Sequence, residues 1–175
     1  MQDELLDIYD VSQRWVGQER RAVVHRKGYW HRAVNIFVLN PSEQLLIQRR
    51  AHAKNVYPNT WDLSVAEHLK AGESYIEAAH RGLAEEMGIG SVVLHQVGKI
   101  SASKVELSEQ NIKDYEFQLC FSTLYKGEIR INTNEVAEAR YVPLAEVHAD
   151  QAAHPAHYTP WFRNCLNVFL VQRCS

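Results

Sequence analysis

The chain has 175 residues, a formal net charge of −2, and 46% hydrophobic and 23% charged residues, enough to close one core of ordinary composition. A near-neutral chain has no general field to draw it to nucleic acid or an anionic membrane, so any phosphate binding is local. No apolar run approaches the roughly 20 residues of a membrane span, and the acidic start Met1-Gln2-Asp3-Glu4 lacks the basic region and apolar stretch of a signal peptide.

Three cysteines, Cys120, Cys165 and Cys174, show no C-x-x-C spacing and make neither a disulfide framework nor a zinc site. The expectation is reduced thiols in a cytoplasmic protein. Basic pairs at Arg20-Arg21 and Arg49-Arg50 extend into no basic tract, which excludes a nucleic-acid polymer as partner.

Taken in chain order, Leu5 to Tyr9 reads as a short strand. Arg32 to Leu39 is β-branched and aromatic and ends at the turn cluster Asn40-Pro41-Ser42, after which Leu45 to Gln48 resumes as a strand; the pair reads as a hairpin. Trp61 to Val65 is a further short apolar run. Ser74 and Glu77 then form a capping box, and Ile76, Ala79, Leu83 and Met87 recur at the spacing of one buried helical stripe. Gly88 stands where a left-handed cap ends a helix, with Ile89 as its apolar partner, so the helix is placed at about residues 75–87. Val92 to Ile100 and Tyr115 to Leu124 read as strands, with Glu128 to Ile131 as another across the Lys126-Gly127 turn. Pro143 to His148 and Pro160 to Val171 read as helices, the second offering Trp161, Phe162, Leu166 and Phe169 to the core. Strands interleaved with a few helices indicate an α+β fold with a mixed β-sheet sandwiched between helices.

Glu85 and Glu86 project near the end of the 75–87 helix, and Glu73 lies just before it. Adjacent carboxylates repel unless a cation sits between them, and hard divalent ions favour carboxylate oxygens. An isolated Glu-Glu pair reads equally as a solvated acidic face.

The spacing goes further. Glu73, Arg81, Leu83, Glu85, Glu86, Gly88 and Ile89 resemble the Nudix box, G-x5-E-x7-R-E-U-x-E-E-x-G-U, with U a bulky apolar residue. The resemblance implies a single Nudix domain over residues 1–175, with a loop–helix–loop at about 67–89 that holds a divalent metal, Mg²⁺ or Mn²⁺, and a small-molecule diphosphate. The same resemblance implies Glu85 and Glu86 as its catalytic and metal-binding carboxylates. Two positions depart from the box: Glu67 stands at its first glycine, and Gly82 at the first glutamate after the arginine. Positions 82, 85 and 86 share a helix face, so one carboxylate of a cluster is missing. Either hydrolysis has decayed, or Glu67 enters from the preceding loop as a metal ligand while Gly82 leaves room for it.

Outside the box the chain is similar to isopentenyl diphosphate isomerase, through His31 to Asn40, Leu46 to Arg50, Pro58 to Val65, Asp114 to Glu116 and Tyr158 to Trp161. That resemblance implies His31 and His68 as metal ligands and Glu116 as a catalytic, metal-binding glutamate. Asp114 stands at a further ligand position and Trp161 at the substrate pocket, while His25 is one residue short of a third histidine's spacing. The isomerase's essential cysteine is here Ala66, and a methyl group cannot donate a proton. Nine histidines are present, and the remaining ones read as surface or hydrogen-bonded residues. One of Arg49 and Arg50 points inward, since strand neighbours alternate, to grip a phosphate; the spacing does not say which. The expectation is metal-dependent hydrolysis of a diphosphate linkage in a nucleoside diphosphate or related small molecule. An isomerase with an altered proton donor and a diphosphate-binding protein without turnover are the alternatives. Whether the chain forms a homodimer is left open.

Overall fold

A computed structural model describes residues 4–173; Cys174 and the first three residues lie outside them. The elements run β1 (Leu5–Tyr9), β2 (Trp15–Arg20), α1 (Arg21–Lys27), β3 (Trp30–Leu39), β4 (Gln44–Arg50), β5 (Trp61–Asp62), β6 (Val65–His68), α2 (Tyr75–Met87), β7 (His95–Leu107), β8 (Ile112–Leu124), β9 (Val136–Pro143), α3 (Leu144–Ala153) and α4 (Pro160–Arg173).

β3 is the central strand. It pairs in parallel with β8 along its whole length, from Trp30↔Tyr115 to Leu39↔Leu124. Its other edge is shared by β1 at Tyr9↔Trp30, by β6 from Ala33↔His68 to Ile36↔Val65, and by β4 at Leu39↔Leu45. The expected hairpin of β3 and β4 is therefore joined at a single pair, because β6 occupies the edge below it. β4 instead takes β9 as its long partner, from Gln44↔Pro143 to Arg50↔Val136. Because β3 is covered on both faces, Ala33 to Leu39 are buried without alternation, Asn35 included.

The alternation survives in what each residue touches. Val34, Ile36 and Val38 pack with Leu83, Met87, Ile89 and Phe121 beneath α2. Phe37 and Leu39 pack with Trp161, Phe162, Leu166 and Phe169 beneath α4, and the Phe37 and Phe169 rings stack at 4.5 Å. The mixed sheet is thus sandwiched between α2 and α4, as the element pattern predicts.

α2 starts and stops where its sequence signals stand. Ser74 and Glu77 form the reciprocal capping box, and Gly88 ends the helix at φ 66° with its N–H on the Ala84 and Leu83 carbonyls. Ile89, fully buried, closes the cap. The buried face is Ala78, Ala79, Gly82, Leu83, Glu86 and Met87, while Ile76 is 42% exposed. The apolar stripe expected through Ile76 is rotated, so Gly82 and Glu86 face the sheet. Residues 128–131 form no strand: Arg130 N–H bonds to Met87 O and Asn132 N–H to Glu86 O, so this segment satisfies the last carbonyls of α2 instead of pairing. α1, β2 and β9 lack a prediction altogether. No helix among the described residues is long and apolar enough to cross a membrane.

Ser74→Ala removes one half of the capping box and is expected to lower stability by about 1 kcal/mol. A urea titration would show this as a lower midpoint with an unchanged slope; an unmoved midpoint would mean that packing alone sets the start of α2.

Candidate active site

The β3–β8 register places His31 beside Glu116, and the β3–β6 register places His68 beside Ala33. Period-two alternation then aligns His31 with Ala33 and Asn35 on one face, and Asp114 with Glu116 and Gln118 on the same face of β8. α1 supplies His25. Its C-cap Gly28 adopts φ 70°, and Val24 O accepts from both Gly28 N–H and Tyr29 N–H. This tight return brings His25 against the strand despite a spacing one residue short.

The result is a buried cluster. His25, His31, His68 and Asp114 offer ligand atoms that all lie within 4.8 Å of one another. Asp114 Oδ1 lies 3.5 Å from His25 Nε2 and 3.3 Å from His31 Nε2. Glu116 Oε1 lies 3.8 Å from His31 Nε2 and 3.1 Å from His68 Nε2. Tyr29 O accepts from His31 Nδ1 at 3.1 Å, which leaves Nε2 to present its lone pair to the cluster. His31 Nε2 and Asp114 Oδ1 are buried without a hydrogen-bond partner among the described residues.

Burial and mutual charge displace the protonation of these groups in opposite directions. Burial, with Asp114 alongside, pushes Glu116 up to about 7. Burial and the neighbouring Arg21 and histidine charges hold His68 well below the usual imidazole value. For His31 burial works the other way, but the Asp114 and Glu116 carboxylates win and raise it. Asp114 is likewise lowered, its histidine neighbours outweighing burial. Three imidazoles and two carboxylates converging on orphaned buried atoms fit a divalent ion, and imidazole suits Mn²⁺, Zn²⁺ or Fe²⁺ better than Mg²⁺. A second group, Asp150, His154 and His157, is exposed.

Next to this cluster stands the carboxylate-bearing end of α2. Arg81 grips Glu73 bidentately at 2.8 and 2.9 Å, and its Nη2 also donates to His68 O at 2.8 Å. Arg81 Nη1 reaches Glu67 at 2.5 Å and Glu85 at 3.1 Å. The arginine therefore ties the loop before α2 to both strand and helix. Glu86 is buried, and its Oε2 accepts from Gln48 Nε2 at 2.7 Å. Burial and the Glu67 charge push it up to about 8.

Both regions border one cavity of about 790 Å³, whose walls include His25, His68, Asp114, Glu116, Glu67 and Glu85. Arg21, Arg26, Arg50 and Lys54 bring positive charge to it. Arg50 is the inward member of its pair: its Nη1 bonds Asp62 at 3.0 Å and its guanidinium lies 5.3 Å from the Trp161 ring. Arg49 points to the opposite side and meets Glu138 at 3.3 Å on the surface, so alternation removes it from the expected phosphate grip. Trp161 borders the cavity with its Nε1–H on Asp62 Oδ1 at 2.8 Å. Ala66 and Asn35 form part of the wall, and Asn35 Nδ2 donates to Cys165 Sγ at 3.5 Å behind it. No thiol or hydroxyl side chain among the described residues lines the cavity.

Sequence reasoning missed Lys54, Arg21 and Arg26. Their only signal is a cation in a turn or a short basic pair at a helix end, which resembles any surface lysine or arginine.

The sandwiched sheet, the arginine-braced loop–helix–loop and the buried histidine–carboxylate cluster define a protein of the Nudix class. A model of the NUDIX domain matches residues 29–162, and the chain belongs to the Nudix family. It is 32% identical over 172 residues to isopentenyl-diphosphate Delta-isomerase 2 of Photorhabdus laumondii, covering 94% of this chain and 92% of that one. It is 33% identical over 156 residues to an uncharacterised Nudix hydrolase of Clostridium acetobutylicum, covering 87% and 74%. Among solved structures, a Deinococcus radiodurans protein superposes with a TM-score of 0.70 at 24% identity, over 93% of this chain and 99% of that one. A MutT protein from Methanosarcina mazei gives 0.67 at 20% identity, over 83% and 96%. Both share the fold.

His31→Ala removes one ligand from the buried cluster and is expected to weaken Mn²⁺ binding by at least about tenfold, the lower end of what even outer-shell changes cost. Calorimetric titration of the folded variant would check it; unchanged affinity would place the ion elsewhere.

Proposed function

We propose that the chain is a metal-dependent enzyme that hydrolyses the diphosphate of a small molecule, with Mn²⁺ or Mg²⁺ as the working ions. The observation that carries this reading is residue 66. One wall of the cavity bears a complete metal cluster with Glu116, while the wall at Ala66 offers only a methyl group. A double-bond isomerisation needs one group to deliver a proton and a second to remove one, and at position 66 the methyl of alanine can do neither. Hydrolysis needs only a base, a phosphate grip and metal.

The roles follow from the geometry. His25, His31, His68, Asp114 and Glu116 would hold one ion, and Glu85 and Glu86 would serve the diphosphate side. Bound metal supplies charge neutralisation and a water of lowered pKa. Arg50, with Lys54 and Arg21, holds the phosphates in the cavity, and Arg50 is itself fixed by Asp62. Trp161, pinned to the same Asp62, offers an indole face to the organic group. Glu116, in the cavity wall beside the ion it would help to hold, is placed to take the proton of the attacking water.

A second reading, isomerisation of isopentenyl diphosphate, is favoured by one observation: the cluster of three histidines, Asp114 and Glu116 is complete, and relatives such as that of Photorhabdus laumondii carry the isomerase name. The two are separable in one experiment. Phosphorus and proton NMR of the protein with Mn²⁺ or Mg²⁺ and a panel of diphosphates, isopentenyl diphosphate included, is expected to show new phosphate or monophosphate signals. Intact diphosphate signals with altered vinyl protons would establish the isomerase; an unchanged panel would remove hydrolysis of those compounds.

Ala66→Cys supplies the missing proton donor. It is expected to turn a chain without isomerase activity into one that interconverts isopentenyl and dimethylallyl diphosphate measurably. A cysteine variant that binds metal as before yet isomerises nothing would mean that residue 66 is not what separates the two reactions.

A further inference from the structure

Gly82 sits in the middle of α2, where glycine costs roughly 1 kcal/mol against alanine. No backbone conformation there demands it. What demands it is the neighbouring strand. A Cβ at position 82 would lie 2.8 Å from Val65 Cγ1, 3.2 Å from Glu67 Cγ and 3.3 Å from Glu67 Cβ. The side chain of Glu67 thus lies against bare helix backbone, in space that any other residue at 82 would fill.

From that seat the Glu67 carboxylate shares Arg81 Nη1 with Glu85. Arg81 has no donor to spare, since its remaining N–H groups go to Glu73 and His68 O. Four residues after Gly82, on the same helix face, Glu86 is 2% exposed. Its Oε2 is met by Gln48, but its Oε1 is buried with no hydrogen-bond partner among the described residues. The nearby cation Lys54 is held by Glu135 at 2.6 Å. Arg81 and Lys70 meet Glu67, Glu73 and Glu85, with Lys70 3.8 Å from Glu85, whereas buried Glu86 has no ion-pair partner among the described residues. Buried carboxylates left in excess are costly, and an orphaned carboxylate oxygen among them is what a hard divalent cation satisfies.

We propose that Glu67, seated on Gly82, is a working carboxylate of the cation site on the diphosphate side of the cavity, acting with Glu86. In effect a carboxylate has moved from α2 to the adjoining strand, and the helix has given up its side chain to receive it. The proposal rests on the metal-dependent reading above for the purpose of the site, but its test does not require turnover.

Mn²⁺ binding to the full chain, counted by electron paramagnetic resonance, reads it directly. The wild type is expected to bind two equivalents, the weaker one at the Glu67–Glu86 side. Glu67→Gln, which keeps the packing against Gly82 and removes the charge, is expected to weaken that second equivalent by at least about tenfold and to leave the first in place. Gly82→Glu alone is expected to lower the melting temperature, because the new side chain meets Val65 and Glu67. Combining it with Glu67→Gly removes the Glu67 contacts but leaves Val65, so the double exchange is expected to regain part of the melting temperature and the second Mn²⁺. A folded Glu67→Gln variant with two unaltered equivalents would overturn the proposal, as would a wild type that binds only one. A protein that binds the second ion through Glu67 and yet releases no phosphate would leave this inference standing and remove hydrolysis instead.

Discussion

The parallel pairing of β3 with β8 is the contact on which the rest of the molecule depends. It brings His31 level with Glu116 and Asn35 level with Cys120, across segments more than eighty residues apart in sequence. A register slip of one residue would turn every side chain of β8 to the opposite face, sending Asp114 and Glu116 toward α2 and Phe117 toward the metal cluster. The apolar positions prevent that slip: Leu119 and Phe121 pack beneath α2 with Val34, Ile36 and Val38, while Cys120 packs beneath α4 with Phe37. The hydrophobic core thus sets the geometry of the charged site, because both are read from the same alternation.

That arrangement places ionisable groups where little water reaches them. His31 is fully buried, Asp114 and Glu116 nearly so, and Glu86 lies under the end of α2. Burying charge without a partner is expensive, and protons are the usual relief when no cation is present. The upward displacement of Glu116 and Glu86, to about 7 and about 8, expresses that cost. Binding a divalent ion would release it and thereby stabilise the fold. The Arg81 hub differs, because its carboxylates already have a permanent counter-charge. It stiffens the loop before α2 whether or not metal is present.

Most of α2 was legible in the sequence because its signals are local. Capping residues and an αL glycine act within four or five positions, and their spacing survives whatever packs around them. His31, His68 and Glu116 were legible through resemblance, and the structure brings them together. His25 was less so: its place depends on how tightly Gly28 turns the chain from α1 into β3, a dihedral property that residue counting misses. The choice between Arg49 and Arg50 was undecided because alternation gives the phase of a strand only once one residue's side is known. Ile76 misled for a similar reason. An apolar residue in the first turn fits the helical period, yet the sheet contacts the face carrying Ala78 and Gly82, where small size allows close approach. β9 escaped because its run carries Glu138 and Arg140, which reads as surface until β4 claims it as a partner.

Small residues do much of the selecting in this site. At position 82 the absence of a side chain admits Glu67; at position 66 the methyl of alanine leaves the cavity wall without a proton source. The first change keeps a carboxylate near the diphosphate side by moving it across a helix–strand contact, and the second takes one chemical step away. A chain that had simply lost its activity would have no reason to preserve five converging ligands, an inward arginine fixed by Asp62 and a tailored seat for Glu67. Burying those groups is destabilising unless something binds them, and marginal stability leaves little room for such a cost without use. The combination is what the proposed diphosphate reading requires: groups that would hold metal and phosphate, without a proton-handling side chain at position 66.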